Sequence, residues 1–67
     1  MLSERLREVR GLRRMSQKRL GELIGKHQVQ ISSYESGENE PSVDTLMKLS
    51  IALGVSTDYL LGLREEI

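Results

Sequence analysis

The chain has 67 residues, ten acidic and ten basic side chains and a formal net charge of zero. That length supplies one core and one domain, residues 1–67, and the absence of cysteine excludes disulfides and thiolate metal sites and fits a reducing cytoplasm. The neutral total hides a division: residues 1–34 hold eight basic against three acidic side chains, +5, and residues 35–67 hold two against seven, −5.

Ser3 is the expected cap of a first helix that runs to about Arg13, with Leu6, Val9 and Arg13 on one side and Leu2 near its start. Met15 is an expected core residue in the connection that follows. Ser16 has the chemistry of an N-cap and leaves Gln17 in the first turn of a second helix, which carries Leu20, Leu23 and Ile24 on one stripe. Gly21 sits on the inner side of this helix, where a large side chain would hold its neighbour away. Gly25 stops the helix, and Gly25, Lys26 and His27 make a tight turn. A third helix covers Gln28 to about Ser36, with Ile31 and Tyr34 inward and Gly37 as the left-handed residue after its end. Glu38 to Ser42 is a loop in which Pro41 prevents helix continuation. Ser42 caps a fourth helix bearing Leu46, Leu49 and Leu53, with Ala52 close by, and Gly54 ends it. Ser56 caps a short fifth helix holding Tyr59, Leu60 and Leu61, ended by Gly62. The tail from Leu63 to Ile67 is expected to fray or to serve in association. No alternating β-branched run competes with this reading, so the fold class is all-α, five helices around one aliphatic core.

The second and third helices, joined by so short a turn, form a helix-turn-helix. At about 100° per residue, Gln28, Val29, Ser32 and Ser33 fall on one outward face of the third helix. That face is short, uncharged and rich in hydrogen-bonding groups, which suits the base edges of a DNA major groove. Gln28 opens the helix, and its amide matches the N6 and N7 edge of adenine. Val29 is a candidate neighbour for a thymine methyl, the alternative being packing against the turn. Ser32 and Ser33 permit close approach to bases or phosphates. Gln30 lies at the edge of the face and ranks below Gln28. Gln17 stands at a helix amino terminus, where free N–H groups favour a phosphate, and its alternative is a surface residue beside a cap. His27 offers a phosphate or base contact, or serves as a solvated turn residue. It is the only histidine, so no metal site is expected. Ser36 and Asn39 are candidates for the sugar-phosphate backbone. Arg10 and Glu35 fall beside the inner stripes of the first and third helices, and unpaired charges there are costly. They are expected to form a structural bridge; the alternative is two solvated charges that never meet.

Together Leu6, Val9 and Arg10, Met15-Ser16-Gln17, Leu20-Gly21, Ile24-Gly25, Ile31-Ser32, Glu35, Gly37, Pro41-Ser42 and Ala52-Leu53-Gly54-Val55 resemble the Cro and repressor-type helix-turn-helix proteins. This is the Xre-like group of bacterial and phage regulators, and the resemblance covers residues 3–62. It implies a compact five-helix bundle of the phage-repressor DNA-binding type, a homodimer on a palindromic operator, and control of transcription, more as repressor than activator. Gln17 and Gln28 match positions that members use for phosphate and base contacts, and Arg10 with Glu35 matches a bridge typical of the group. Gly21 departs from the usual alanine. Glu38, Asn39 and Glu40 fill a loop that is often more basic. The third helix has no lysine or arginine, so A·T contacts should outweigh guanine contacts.

Tyr59, Leu60, Leu61 and Leu63, with Ile67, supply more apolar surface than a short terminal helix needs, and are the candidate dimer surface unless core closure uses them. The expected partner is double-stranded operator DNA. No membrane, cofactor or small-molecule ligand is indicated. The competing function is a protein-interaction module, antitoxin-like or an adaptor, which the acidic second half favours. An enzyme is disfavoured, because no metal cluster, phosphate-cradling glycine loop or nucleophile–histidine–carboxylate set is present.

Overall fold

Small polar residues at helix starts and glycines at helix ends divide this chain. In a computed structural model describing residues 1–67, α1 spans Leu2–Leu12, α2 Gln17–Ile24, α3 Gln28–Ser36, α4 Val43–Leu53 and α5 Thr57–Leu60. Ser16, Ser42 and Ser56 each accept a backbone N–H three residues on, from Arg19, Thr45 and Tyr59, satisfying donors that the first turn leaves free. Gly25, Gly37 and Gly54 close α2, α3 and α4 in the left-handed conformation. No helix is long and apolar enough to cross a membrane.

α1 starts earlier than its expected cap. Met1 is its N-cap, without a side-chain bond, and Ser3 lies inside the first turn. The Met1 carbonyl already accepts from Arg5 N–H, and the Met1 amino group pairs with Glu4 at 3.1 Å, so the helix begins without a serine.

The core joins Leu6 and Val9 of α1, Leu20 and Ile24 of α2, Ile31 and Tyr34 of α3, Leu49 and Leu53 of α4, then Val55, Tyr59 and Leu60. Leu2, Met15, Leu46 and Ala52 pack against it, half-buried. Each fully buried leucine or isoleucine stabilises the fold by about 1.5–3 kcal/mol. Leu23 departs from its expected stripe and stays exposed on α2. Gly21 is fully enclosed: a Cβ there would overlap the backbone carbonyl of Lys26, in the α2–α3 turn. The glycine is what allows that turn to close against α2.

The carboxy-terminal tail is strapped to α1. The Arg5 guanidinium stands 4.3 Å from the Tyr59 ring centroid and donates to the carbonyls of Tyr59 and Arg64. It also lies 3.6 Å from a Glu65 oxygen. The Tyr59 hydroxyl donates to Glu8 Oε1 at 2.6 Å, and this bond, with burial second, pushes the phenol above its ordinary pKa.

Candidate nucleic-acid interface

α3 packs chiefly on α1 and α2, so its remaining side meets solvent. Its fastening is partly hydrocarbon and partly ionic. Glu35 is only 6% exposed, yet accepts three hydrogen bonds: from Arg10 Nε at 2.6 Å, Arg10 Nη2 at 3.0 Å and Gln17 Nε2 at 3.2 Å. The two arginine bonds form a bidentate pair, the strongest geometry open to these groups. Arg10 Nη1 donates to the Met15 carbonyl at 2.8 Å, which ties the connection to the same network. The hydrogen bond to Glu35, against the opposing pull of desolvation, raises the Arg10 pKa further above its ordinary value, so the guanidinium stays charged. Every buried side-chain nitrogen and oxygen in the chain has a partner.

The amino terminus of α3 is closed by a reciprocal cap that sequence reasoning missed. His27 Nδ1 accepts Val29 N–H at 3.1 Å, while Gln30 Oε1 accepts His27 N–H at 3.2 Å. A glutamine three residues after the cap was the available signal. Histidine is rarely read as a cap, so the signal was masked. With Nδ1 accepting, Nε2 is the ring's donor and stays available to a ligand.

Gln28, Val29, Gln30 and Ser32 are exposed, and Val29 is 65% exposed although apolar. Val29 therefore leaves most of its apolar surface in solvent, with at most partial burial against the turn. Ser33 is half-buried, and its hydroxyl donates to the Gln30 carbonyl at 2.8 Å. Ser36 Oγ donates to the Ser33 carbonyl at 3.1 Å and accepts from Glu38 N–H, which fastens the end of α3. The Asn39 side chain is exposed, while its backbone N–H returns to the Ser33 carbonyl at 3.3 Å. Gln17 is half-buried, and one amide N–H is spent on Glu35, so its role extends beyond a surface residue beside a cap. The candidate interface residues from Gln17 to Asn39 thus lie on one helix pair and the loop after it. Arg10 and Glu35 meet behind them.

The dimer expectation divides. Tyr59 is 6% exposed and Leu60 is fully buried, so both close the core instead of offering a docking face. The strap of Arg5 on Tyr59 and the contact of α5 with α1 and α4 explain why. Leu61, Leu63 and Ile67 remain exposed. A further apolar stripe, Val43, Met47 and Ile51, runs along α4 with i, i+4, i+8 spacing, and sequence reasoning missed it.

Five helices in which the second and third make a tight, glycine-closed turn define a helix-turn-helix protein. The Helix-turn-helix family model HTH_3 matches residues 6–60, and the chain belongs to this family. Among curated relatives, it is 44% identical over 61 residues to the SPbeta prophage-derived uncharacterized HTH-type transcriptional regulator YonR of Bacillus subtilis (strain 168), covering 91% of this chain and 56% of that one. It is 41% identical over 61 residues to repressor protein C2 of Salmonella phage P22, covering 91% of this chain and 28% of the repressor. Among solved structures, the P22 c2 repressor in complex with synthetic operator 9T superposes with a TM-score of 0.86 at 40% identity, covering 90% of this chain and 91% of that one. The biofilm regulator SinR in complex with DNA superposes with a TM-score of 0.85 at 32% identity, covering 91% and 98%.

Proposed function

We propose that this chain is the operator-reading domain of a transcription regulator, a repressor, which binds palindromic double-stranded DNA as a homodimer with α3 in the major groove. One observation carries the reading: α3 leaves an uncharged outward face of Gln28, Val29 and Ser32 while Glu35 anchors its rear. The similar P22 c2 repressor is bound to operator DNA in its own structure, which supports the same partner here.

Gln28 gives and takes a hydrogen bond with adenine, and Val29 meets a thymine methyl. Ser32 and Ser33 allow the close approach. Gln17, His27 through Nε2, Ser36 and Asn39 hold the sugar-phosphate backbone and set the register. A single subunit offers a small contact area, and a two-fold dimer spaces two reading helices about 34 Å apart, one turn of DNA. Leu61 and Leu63 form the dimer surface. Transcription control in the cytoplasm requires no catalysis by this domain.

Selection of bound duplexes from a random pool, followed by sequencing, tests the proposal. The expected result is a two-fold-symmetric, A·T-leaning motif whose retention falls steeply with salt. The alternative, a module whose main partner is another protein, draws on the exposed α4 stripe and the acidic second half. A pool with no enriched motif and no salt-sensitive retention would favour it.

A further inference from the structure

The eight cations ahead of Tyr34 divide into two groups. Arg5 serves the tail, Arg10 serves Glu35, Arg13 Nε donates to the Leu53 carbonyl at 2.8 Å, and Arg19 pairs with Glu22 at 3.6 Å. Arg7, Arg14, Lys18 and Lys26 form no ion pair within the chain. With Arg13, whose bond is to a neutral carbonyl, these four carry the unpaired positive charge of the first half, and Arg7 and Arg14 lie outside the helix pair.

Their place follows from α1. Ser3, Arg7 and Arg10 recur at i, i+4, i+7 and share one flank of the helix. Both ends of that flank are fixed. Ser3 Oγ lies 3.8 Å from where a Cβ on Gly37 would stand, and Arg10 is bonded to Glu35. Arg7, exposed, stands between them on the flank of α1 whose two ends meet Gly37 and Glu35. Arg14, also exposed, immediately precedes Met15, whose carbonyl takes Arg10 Nη1, and stands two residues before the Ser16 cap of α2. The two arginines thus follow the rear edge of the candidate interface, one on that flank of α1 and one before the start of α2.

Arg14 is also the residue that ends α1. Its φ is 56°, and no other residue except glycine has a positive φ. A side chain makes that conformation costly, and glycine adopts it freely. Here the conformation closes α1: the Arg14 N–H returns to the Gly11 carbonyl at 3.0 Å and the following Met15 N–H to the Arg10 carbonyl at 3.1 Å, so the backbone ends the helix and the side chain is left unbonded.

We infer that Arg7 and Arg14 clamp DNA phosphates on either side of the base-reading segment, making the flank of α1 a third element of the interface. This rests on the proposed DNA-reading function and adds residues outside it. The clamp supplies charge that α3 lacks and that Glu38 and Glu40, exposed in the loop after it, oppose. Phosphate contacts give affinity and register without reading sequence.

The test is operator affinity as a function of salt for the wild type, Arg7→Gln, Arg14→Gln, the double variant, Arg14→Gly and Arg14→Lys. Each lost cation should make the slope of log K against log salt shallower by about 0.9 per subunit, with base preference unchanged. Arg14→Gly should raise the melting temperature and still weaken binding, whereas Arg14→Lys should keep the slope. Arg19→Gln, which removes a cation already paired with Glu22, should leave the slope unchanged. An unaltered slope in the double variant, or an Arg14→Gly protein that is more stable and binds as well as the wild type, overturns the clamp and leaves the reading of α3 intact. A wild type that retains no duplex in a salt-sensitive way overturns both.

Discussion

α3 and α4 are neighbours of α2 that are fastened by different chemistry. α4 buries Leu49, Leu53 and Thr45 and leaves Val43, Met47 and Ile51 in solvent; apart from the Arg13 bond to the Leu53 carbonyl at its end, it is held by hydrocarbon and also exposes hydrocarbon. α3 buries Ile31 and Tyr34 but adds Glu35, which bonds to Arg10 and Gln17 at 2.6–3.2 Å. Apolar burial is non-directional, whereas a bidentate ion pair fixes an angle as well as a distance. A helix that must present side chains to base edges needs such directional fastening, because a pose loose by about 1 Å forfeits the contacts. On this account α4 sets stability and α3 sets aim.

The largest expected effects test that division. Leu49→Ala should cost about 2–5 kcal/mol from lost burial and a cavity. Glu35→Ala should cost about 3 kcal/mol, because it strands a half-buried Arg10 and the Gln17 amide. Denaturant melts measure both. Arg10→Met combined with Glu35→Leu should recover much of that stability without recovering operator affinity. Recovery of both would break the distinction between stability and aim.

Gly21→Ala should cost about 1 kcal/mol net. Overpacking against the Lys26 carbonyl costs about 1–3 kcal/mol, and better helix propensity returns up to about 1 kcal/mol. Operator affinity should fall with it, because the displaced turn carries the start of α3. His27→Ala should cost about 1 kcal/mol through loss of the cap on Val29, and His27→Asn should restore most of it.

The smallest effect lies at the far end of the molecule. The Tyr59 phenol is held above its unfolded value of about 10 by its bond to Glu8. A raised pKa means that the contribution is complete below the unfolded value and is lost as pH rises through the folded one. The stability gap between wild type and Tyr59→Phe should therefore be constant at neutral pH and close above about pH 10. A gap that persists there would show that the Glu8 bond contributes nothing.

Helix punctuation was legible in the sequence because it is local. Ser16, Ser42, Ser56, Gly25, Gly37 and Gly54 act on residues within one turn of themselves, and each does so in the fold. The bridge of Arg10 and Glu35 was also legible, since two charges on inner stripes have few alternatives. What escaped is long-range or chemically ambiguous. Arg5 reaches Tyr59 across 54 positions, which no window of sequence reveals. That strap takes Tyr59 and Leu60 into the core and out of the candidate dimer face. Gln17 read as a phosphate ligand or a surface residue beside a cap, because its bond to Glu35 appears only when α2 and α3 meet. The stripe on α4 was missed because the same helix also carries Leu46, Leu49 and Leu53, so its apolar residues run around more than one face.

The central claim is that the outward face of α3 reads bases, and Gln28 is its sharpest point. Duplex selection should be run side by side on the wild type and on Gln28→Ala, whose melting temperatures should agree because the side chain is exposed. The account predicts one symmetric motif for both proteins, with preference at one base pair of each half-site lost in the variant, a change of about 1–3 kcal/mol there. An identical motif with identical affinity would contradict it.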